Sequence, residues 1–330
     1  MRFLVLGSNT FLGQHVVAEA ARRGHEVQAR AAELVTRRPG AGDPDLLELA
    51  AGDASQRAAL LRAASQADAV VSAEPLSRVA PPRVVPQVEA SLQRARLALE
   101  AAAQSGARRL VWVGSALAVG SSVLKTGRCS EHDWTLGKSD ARVRAYVESE
   151  QWLAREAKAR GVTLVRVLPT RMLGPGSPEP ARDLKLVRAY ARFRLGLFAH
   201  GGLNVIDVRD AAQAVVSAAE VGVDGARYVV GGHDLTYKAF YRAIADAIGA
   251  RHLHLAVPRG LALAAFGALE VVWLVAGRSA PLDRNFVDLH FGRYAFYDSS
   301  AAHAALGIRP RPIAETMRDS VASLDAARVA

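Results

Sequence analysis

The sequence predicts an α/β protein in which a doubly wound parallel sheet is followed by a smaller, mostly helical C-terminal lobe. Short apolar runs alternate with helical patterns through the first third of the 330 residues, which is the sign of βαβ units. The runs are rich in Leu and Val and read as bare of charge, as strands covered on both faces should be. After about residue 170 the texture changes: Pro169, Pro175, Pro178 and Pro180 surround Gly174 and Gly176, and the chain beyond is less regular. The expected division is 1–170 for the sheet domain, with parts of 200–232 returning to it, and a discontinuous lobe over 171–330.

The elements follow in order. Residues 2–6 read as the first strand and 11–23 as a helix, with Leu12, Val16, Val17 and Ala20 on one face. Gly24-His25 ends that helix, and a second strand starts at Glu26. Residues 57–64 are expected to be helical, 69–72 a strand, 88–104 a long helix stopping near Gly106, and 110–113 a strand. Further on, 146–160 reads as a helix, 163–167 and 205–208 as strands, and 313–324 as a final helix packed on the body.

Composition excludes several functions. Lys plus Arg is 42 against 32 Asp plus Glu, a net charge of +10, yet the basic residues are scattered singly or in pairs, with no nucleic-acid-binding motif beside them. Five are lysines: Lys125, Lys138, Lys158, Lys185 and Lys238. Cys129 is the single cysteine, so neither an intrachain disulfide nor a cysteine zinc site can form. His132, His200, His233, His252 and His254 show no metal-ligand spacing, and no metal is expected. The apolar run 3–6 is cut short by Gly7-Ser8-Asn9-Thr10 before a signal peptide could form. A cytoplasmic protein is the expectation. The longest apolar stretch, 261–276, carries Glu270 and falls short of the ~20 residues that span a bilayer. It suits burial in the lobe, a homodimer contact or peripheral attachment to a membrane.

The first strand runs into Gly7-Ser8-Asn9-Thr10-Phe11-Leu12-Gly13 and then a helix. In that context glycine serves the tight turn and the close helix packing, and the helix N-terminus offers unpaired N–H groups to a pyrophosphate. An ordinary βα turn would need the same glycines, and Thr10 stands where a glycine would let phosphates approach most closely. Asp53, after Gly52, is placed to accept from an adenine amino group or simply to cap the next helix. Behind the second strand, Glu33 favours a free ribose 2′-hydroxyl, whereas Arg30, Arg37 and Arg38 favour a 2′-phosphate. NAD or NADP is the expected cofactor, with a lean to NADP.

These residues, together with Leu168-Pro-Thr-Arg-Met-Leu-Gly-Pro-Gly176, Gly202-Leu-Asn-Val-Ile-Asp-Val-Arg-Asp-Ala-Ala212, Gly225-Ala-Arg-Tyr-Val-Val-Gly-Gly232 and Phe296-Tyr-Asp-Ser-Ser-Ala, resemble the extended short-chain dehydrogenase/reductases. The similarity is greatest to dihydroflavonol-reductase-like and hopanoid-associated sugar-epimerase-like members of the NAD-dependent epimerase/dehydratase group. The resemblance implies a Rossmann-type domain binding NAD(P), and a C-terminal lobe enclosing a small carbonyl, hydroxyl or sugar-like substrate. It implies cofactor contacts at Gly7, Asn9, Thr10, Phe11, Leu12 and Gly13, at Arg37, Asp53 and Ala54 on the adenosine side, and at Ser72, Pro169 and Thr170 near the nicotinamide.

The family's chemistry uses Ser, Tyr and Lys. Ser115 matches the first and Tyr146 the second of Tyr-x-x-x-Lys, but the lysine position is Glu150. A free tyrosine titrates near 10, and an ammonium one helical turn away is what brings tyrosinate within reach at neutral pH. A carboxylate pushes the other way. Lys138, Arg142 or Arg144 would have to supply the charge, although spacing favours none of them. Ser72 and Glu74 also replace a usual His and small residue, and Ser91, Arg94 and Ala95 replace a usual Asn and Gly-Thr. The readings left open are an NAD(P)-dependent reductase or epimerase with an altered Ser-Tyr-Glu triad, a non-redox enzyme using Glu150 or Glu74 as base, and an inactive dinucleotide-binding regulator. Glu150 is equally read as a solvated helix residue paired with an arginine.

Overall fold

The computed structural model describes residues 1–30, 54–74, 84–135, 140–176, 195–198, 200–249, 253–275 and 291–329. The first half alternates β1 (Arg2–Leu6), α1 (Phe11–Arg22), β2 (Glu26–Arg30), α2 (Ala54–Ser65), β3 (Ala69–Ser72), α3 (Val84–Gln104) and β4 (Arg109–Val113). A 3-10 turn (Ala116–Ala118), α4 (Ala141–Ala159), β5 (Thr163–Pro169) and β6 (Arg171–Leu173) follow. Then come β7 (Leu195–Phe198), β8 (Gly201–Asp207), α5 (Val208–Val221), β9 (Arg227–Val230), β10 (His233–Thr236) and α6 (Tyr237–Ile248). The chain continues through β11 (Leu253–Ala256), α7 (Arg259–Val275), β12 (Arg293–Ala295), α8 (Ser300–Leu306) and α9 (Ile313–Val329).

Six strands form the main sheet in the order β2-β1-β3-β4-β5-β9, and every neighbouring pair is parallel. The chain moves outward from β1 to β2 and then returns past β1 to β3, so the order reverses between β1 and β3. In doubly wound sheets the crevice outside such a reversal is where ligands bind. Buried residues of α1 and α5 cover one face, with Val5, Val71, Val111 and Val167 beneath them. Helices α3 and α4 cover the other, over Leu4, Val70, Leu110 and Leu164. A second sheet, β10-β8-β12 with β6 on β8, and a β11-β7 ribbon form the rest.

Several elements differ from the expectation for identifiable reasons. Helix α4 starts at Ala141 rather than 146 because Asp140 caps it, its Oδ1 accepting from the amides of Arg142 at 2.8 Å and Val143 at 3.2 Å. Residues 201–207 form one long strand, and α5, for which the sequence reading offers no element, follows with ten of its 14 residues buried. Its unburied polar residues Arg209, Gln213 and Glu220 line one narrow face, opposite an Ala- and Val-rich face turned to the sheet. The expectation of charge-free strands fails at Arg166 in β5 and Arg227 in β9. Those two lie directly opposite one another in register.

Candidate active site

The turn after β1 sits at the reversal of strand order. Gly7 has φ +77°, a left-handed conformation that glycine adopts without penalty. Thr10 caps α1: its Oγ1 accepts from the Gly13 amide at 3.0 Å and lies 2.7 Å from the Gly7 carbonyl and 3.0 Å from that of Ala73, toward which its proton points. Thr10 thus ties the turn to the end of β3. A side chain at Gly13 would overlap the Gly7 carbonyl oxygen, so this glycine sets how closely α1 meets β1. The first-turn amides of Phe11 and Leu12 have no intrahelical acceptor and face the positive end of the helix dipole. With exposed Asn9, they suit a pyrophosphate.

Glu74 lies directly beside this turn. A Cβ on Gly7 would come 2.6 Å from Glu74 Cγ, and Arg94 Nε stands 3.8 Å from Glu74 Oε2. Burial pushes the Glu74 carboxyl above its ordinary range, against the pull of Arg94. The replaced Asn and Gly-Thr positions therefore have local roles: Arg94 faces Glu74, Ala95 is core, and buried Ser91 meets Ser149 of α4, Oγ to Oγ, at 3.0 Å. Ser72 is buried, in register with Leu6 and Trp112. The Thr170 hydroxyl donates to Asn204 Oδ1 at 2.8 Å. The backbone of Ala54 opens α2, while Arg37 and Asp53, along with Glu33, Arg38 and Lys138, lie outside the described residues.

Ser115 follows β4 and caps the 3-10 turn, its Oγ accepting from the Leu117 amide at 3.3 Å. Tyr146, on the second turn of α4, packs on the cluster of Ala118, Val143 and Val147, which Leu117 and Trp134 also join, beside the turn that Ser115 caps. The same turn is held from behind by Tyr297, whose hydroxyl lies 3.1 Å from the Ala116 carbonyl and 2.8 Å from that of Gly120. Burial drives the Tyr297 phenol well above the usual range. Arg142 and Arg144 both face acids of their own segment, Asp140 at 3.5 Å and Glu148 at 3.2 Å.

Glu150 is 1% exposed, which corrects the reading of a solvated helix residue. Its Oε1 is 2.5 Å from Arg227 Nε and 3.6 Å from Arg166 Nη1, and its Oε2 is 3.5 Å from Arg227 Nη2. Arg227 Nη1 also donates to the carbonyls of Glu131 and Asp133, both at 2.7 Å, and its guanidinium lies 3.9 Å over the Trp134 ring. Burial pushes the Glu150 carboxyl up, while Arg227 and then Arg166 pull it back. The carboxylate faces the sheet and fastens α4 and the 131–134 loop to β9. Sequence reasoning missed Arg166 and Arg227. The available signal was a single arginine in each of two otherwise apolar strand patterns, which a buried strand tolerates only with an acid to meet it.

On this side of α4 Glu150 meets two arginines, and the parallel sheet that carries the glycine-rich turn lies beside it. The family model for the NAD dependent epimerase/dehydratase family matches residues 3–231. The chain belongs to that family. Among curated proteins it is 26% identical over 230 residues to a putative dihydroflavonol 4-reductase of Synechocystis, covering 68% of this chain and 66%, just under two thirds, of that protein. It is 24% identical over 338 residues to sterol demethylase protein B of Methylococcus capsulatus, with 98% of each covered. Among solved structures, the UDP-glucose 4-epimerase of Thermus thermophilus in complex with NAD has a TM-score of 0.71 at 20% identity, over 99% of this chain and all of that one. That likeness is one of fold. Among the described residues, no group of three His, Cys, Asp or Glu side chains could hold a metal ion.

Proposed function

We propose that the chain is an NAD(P)-dependent reductase or epimerase acting on the carbonyl or hydroxyl of a small substrate enclosed by residues 171–330. The observation that carries this reading is the packing of Tyr146 against the Ser115-capped turn at the end of β4. Gly7 and the 9–13 turn would hold the pyrophosphate, Asp53 the adenine, and Arg37 a 2′-phosphate, which keeps the lean to NADP. When bound, the nicotinamide supplies the hydride acceptor or donor.

Ser115 Oγ accepts from the Leu117 amide and keeps its own proton for the substrate oxygen. Tyr146 then delivers a proton to that oxygen. With Glu150 in place of lysine, nothing one turn away stabilises a tyrosinate. Reduction of a carbonyl needs only the protonated phenol, so the reductive direction is favoured. In this reading Glu150 acts through Arg227 as a positioning residue for α4. The relative aligned along the whole chain is named for a sterol, in keeping with an apolar alcohol or ketone as substrate. The reducing cytoplasm suits the lone Cys129.

The test is titration of the purified protein with NADPH and NADH, following nicotinamide fluorescence. Binding of either supports the reading, and no binding at millimolar cofactor overturns it. A second reading, non-redox chemistry in the same pocket with Glu74 as general base, is favoured by the closeness of Glu74 to Gly7. A Glu74→Gln protein that binds cofactor and reduces carbonyls as well as the parent would remove it.

A further inference from the structure

Between Leu253 and Ala268 the chain reads Leu-His-Leu-Ala-Val-Pro-Arg-Gly-Leu-Ala-Leu-Ala-Ala-Phe-Gly-Ala, with Arg259 the single permanent charge and no acid. A helix apolar on every side belongs in a core. Here Ala262, Leu263 and Phe266 are packed with Phe291 and Val257, but the opposite side of α7 faces water. Leu261 is 63% exposed, and Ala264, Ala265 and Ala268 are exposed with it, at the spacing of one helix face. In the preceding strand Leu253 is 60% and Leu255 46% exposed. Three large aliphatic side chains in nine residues are therefore left uncovered in one continuous stretch. Scattered single exposures are ordinary on a protein surface, and a concentration of this kind is not.

The charge around the stretch says what suits it. Arg251 precedes it and Arg278 and Arg284 follow it, whereas Glu270 is the one acid between residues 247 and 282. The whole chain carries +10. An apolar face that carries Arg259, in a chain of net positive charge, complements a surface that is apolar inside and negative outside. Spanning is excluded for the described helices, none of which is long and apolar enough to cross a membrane; the 17 residues of α7 reach about 25 Å at helical rise, short of a hydrocarbon core.

We propose that α7 and β11 form a monotopic interface that lies on an anionic lipid bilayer, with Leu253, Leu255 and Leu261 entering the acyl boundary and Arg259 at the phosphate level. This surface is independent of the reaction assigned to Tyr146. A second copy of the chain would bury the same leucines but would place arginine against arginine if the face paired with itself.

The full-length protein is floated with extruded vesicles of phosphatidylcholine containing phosphatidylglycerol, and with phosphatidylcholine alone. Flotation with the anionic vesicles, weakened by high salt, is the expected result. Leu255→Glu with Leu261→Glu lowers the partition by roughly a hundredfold, and Arg259→Glu by roughly fivefold. Both substitutions replace exposed side chains, so the melting temperature and nicotinamide binding stay at parental values. The proposal is overturned if the parent stays at the bottom of the gradient with anionic vesicles, or if light scattering shows a dimer that the double variant abolishes while vesicle binding persists.

Discussion

Glu150 and Arg227 meet at 2.5 Å, Oε1 to Nε, between α4 and β9, with both side chains almost fully buried. The resemblance drawn from the sequence expects a lysine at the Glu150 position. Sequence alone suggests that Glu150→Lys would restore a missing cation, and the structure reverses that expectation. A lysine there would face Arg227 and Arg166 with no acid between them. Removing one partner of a buried pair costs about 3–5 kcal/mol, whereas replacing both with apolar residues of similar volume is often near neutral. Glu150→Lys is therefore expected to unfold or melt far below the parent in calorimetry, and the triple change Glu150→Met, Arg166→Met and Arg227→Met, which removes the three buried charges together, to melt well above Glu150→Lys. A stable, more active Glu150→Lys would show that the pair is dispensable.

The parallel sheet was legible in the sequence because β1, β3 and β4 are short, apolar and set between helical periods, and the Gly7 to Gly13 turn announced the reversal of strand order. The structure brings the segments of Ser115 and Tyr146 together, the α4 helix packing on the 3-10 turn. The environment of Glu150 was not legible. Its partners lie 16 and 77 residues away along the chain, and local pattern carries no information about which strand a helix will cover. Thr10 was read as a glycine lost from the phosphate turn; its hydroxyl proves to bridge the turn to Ala73, a contact set by strand pairing 63 residues apart.

Glu74 is expected to make cofactor affinity depend on pH. Burial raises its carboxyl, so its charge appears at higher pH than for an ordinary glutamate, next to the turn proposed for the pyrophosphate. Dinucleotide binding is expected to weaken as pH rises through this titration, by about tenfold for one nearby charge in a partly screened site. Stability moves the same way: a raised folded pKa gives a contribution that is full below the unfolded value and lost as pH rises through the folded one. Glu74→Gln should flatten both profiles, measured by fluorescence titration and thermal melts from pH 4 to 8. Parallel profiles for variant and parent would remove Glu74 from either effect.

Gly13 is limited by space rather than by backbone angle. A Cβ there would overlap the Gly7 carbonyl, and backbone cannot give way as a side-chain tip can. Gly13→Ala should separate α1 from β1, at a cost of about 2–3 kcal/mol in denaturant unfolding, and lose dinucleotide binding with it. Gly24→Ala is a control of another kind, because it meets nothing within 4 Å but has φ +79°; it should lose about 1 kcal/mol and keep the affinity.

Asp207 locks the last helix to the body. Its side chain is fully buried and receives Arg209 Nε at 2.9 Å, Arg209 Nη2 at 2.8 Å and the Thr316 hydroxyl of α9 at 2.8 Å. Burial alone would raise the carboxyl, but the Arg209 and Thr316 bonds outweigh it and hold it below the ordinary range. A depressed folded pKa contributes stability above the unfolded value that is lost as pH falls through the folded one. Asp207→Asn should thus cost about 3 kcal/mol at neutral pH, and the gap to the parent should close in acid. Asp210 next to it is raised by burial against Arg311 and has the opposite slope, so the single variant is needed to separate them.

Tyr146→Phe bears on the proposed chemistry most directly. The hydroxyl is the one group removed, and the ring keeps its place on the cluster of Ala118, Val143 and Val147, so folding and cofactor affinity should be unchanged. Losing a positioned proton donor typically slows a reaction by about 100- to 10,000-fold, and carbonyl reduction should fall by at least the lower figure. Ser115→Ala should lower the rate as well, through the hydrogen bond to the substrate oxygen, while also removing the acceptor for the Leu117 amide. Comparing the two by single-turnover hydride transfer separates proton delivery from positioning: acidifying the medium should speed Tyr146→Phe, where solvent can replace the lost proton, and leave Ser115→Ala unmoved. Equal rates for Tyr146→Phe and the parent would take Tyr146 out of the reaction and leave the altered Glu74 side of the pocket to account for it.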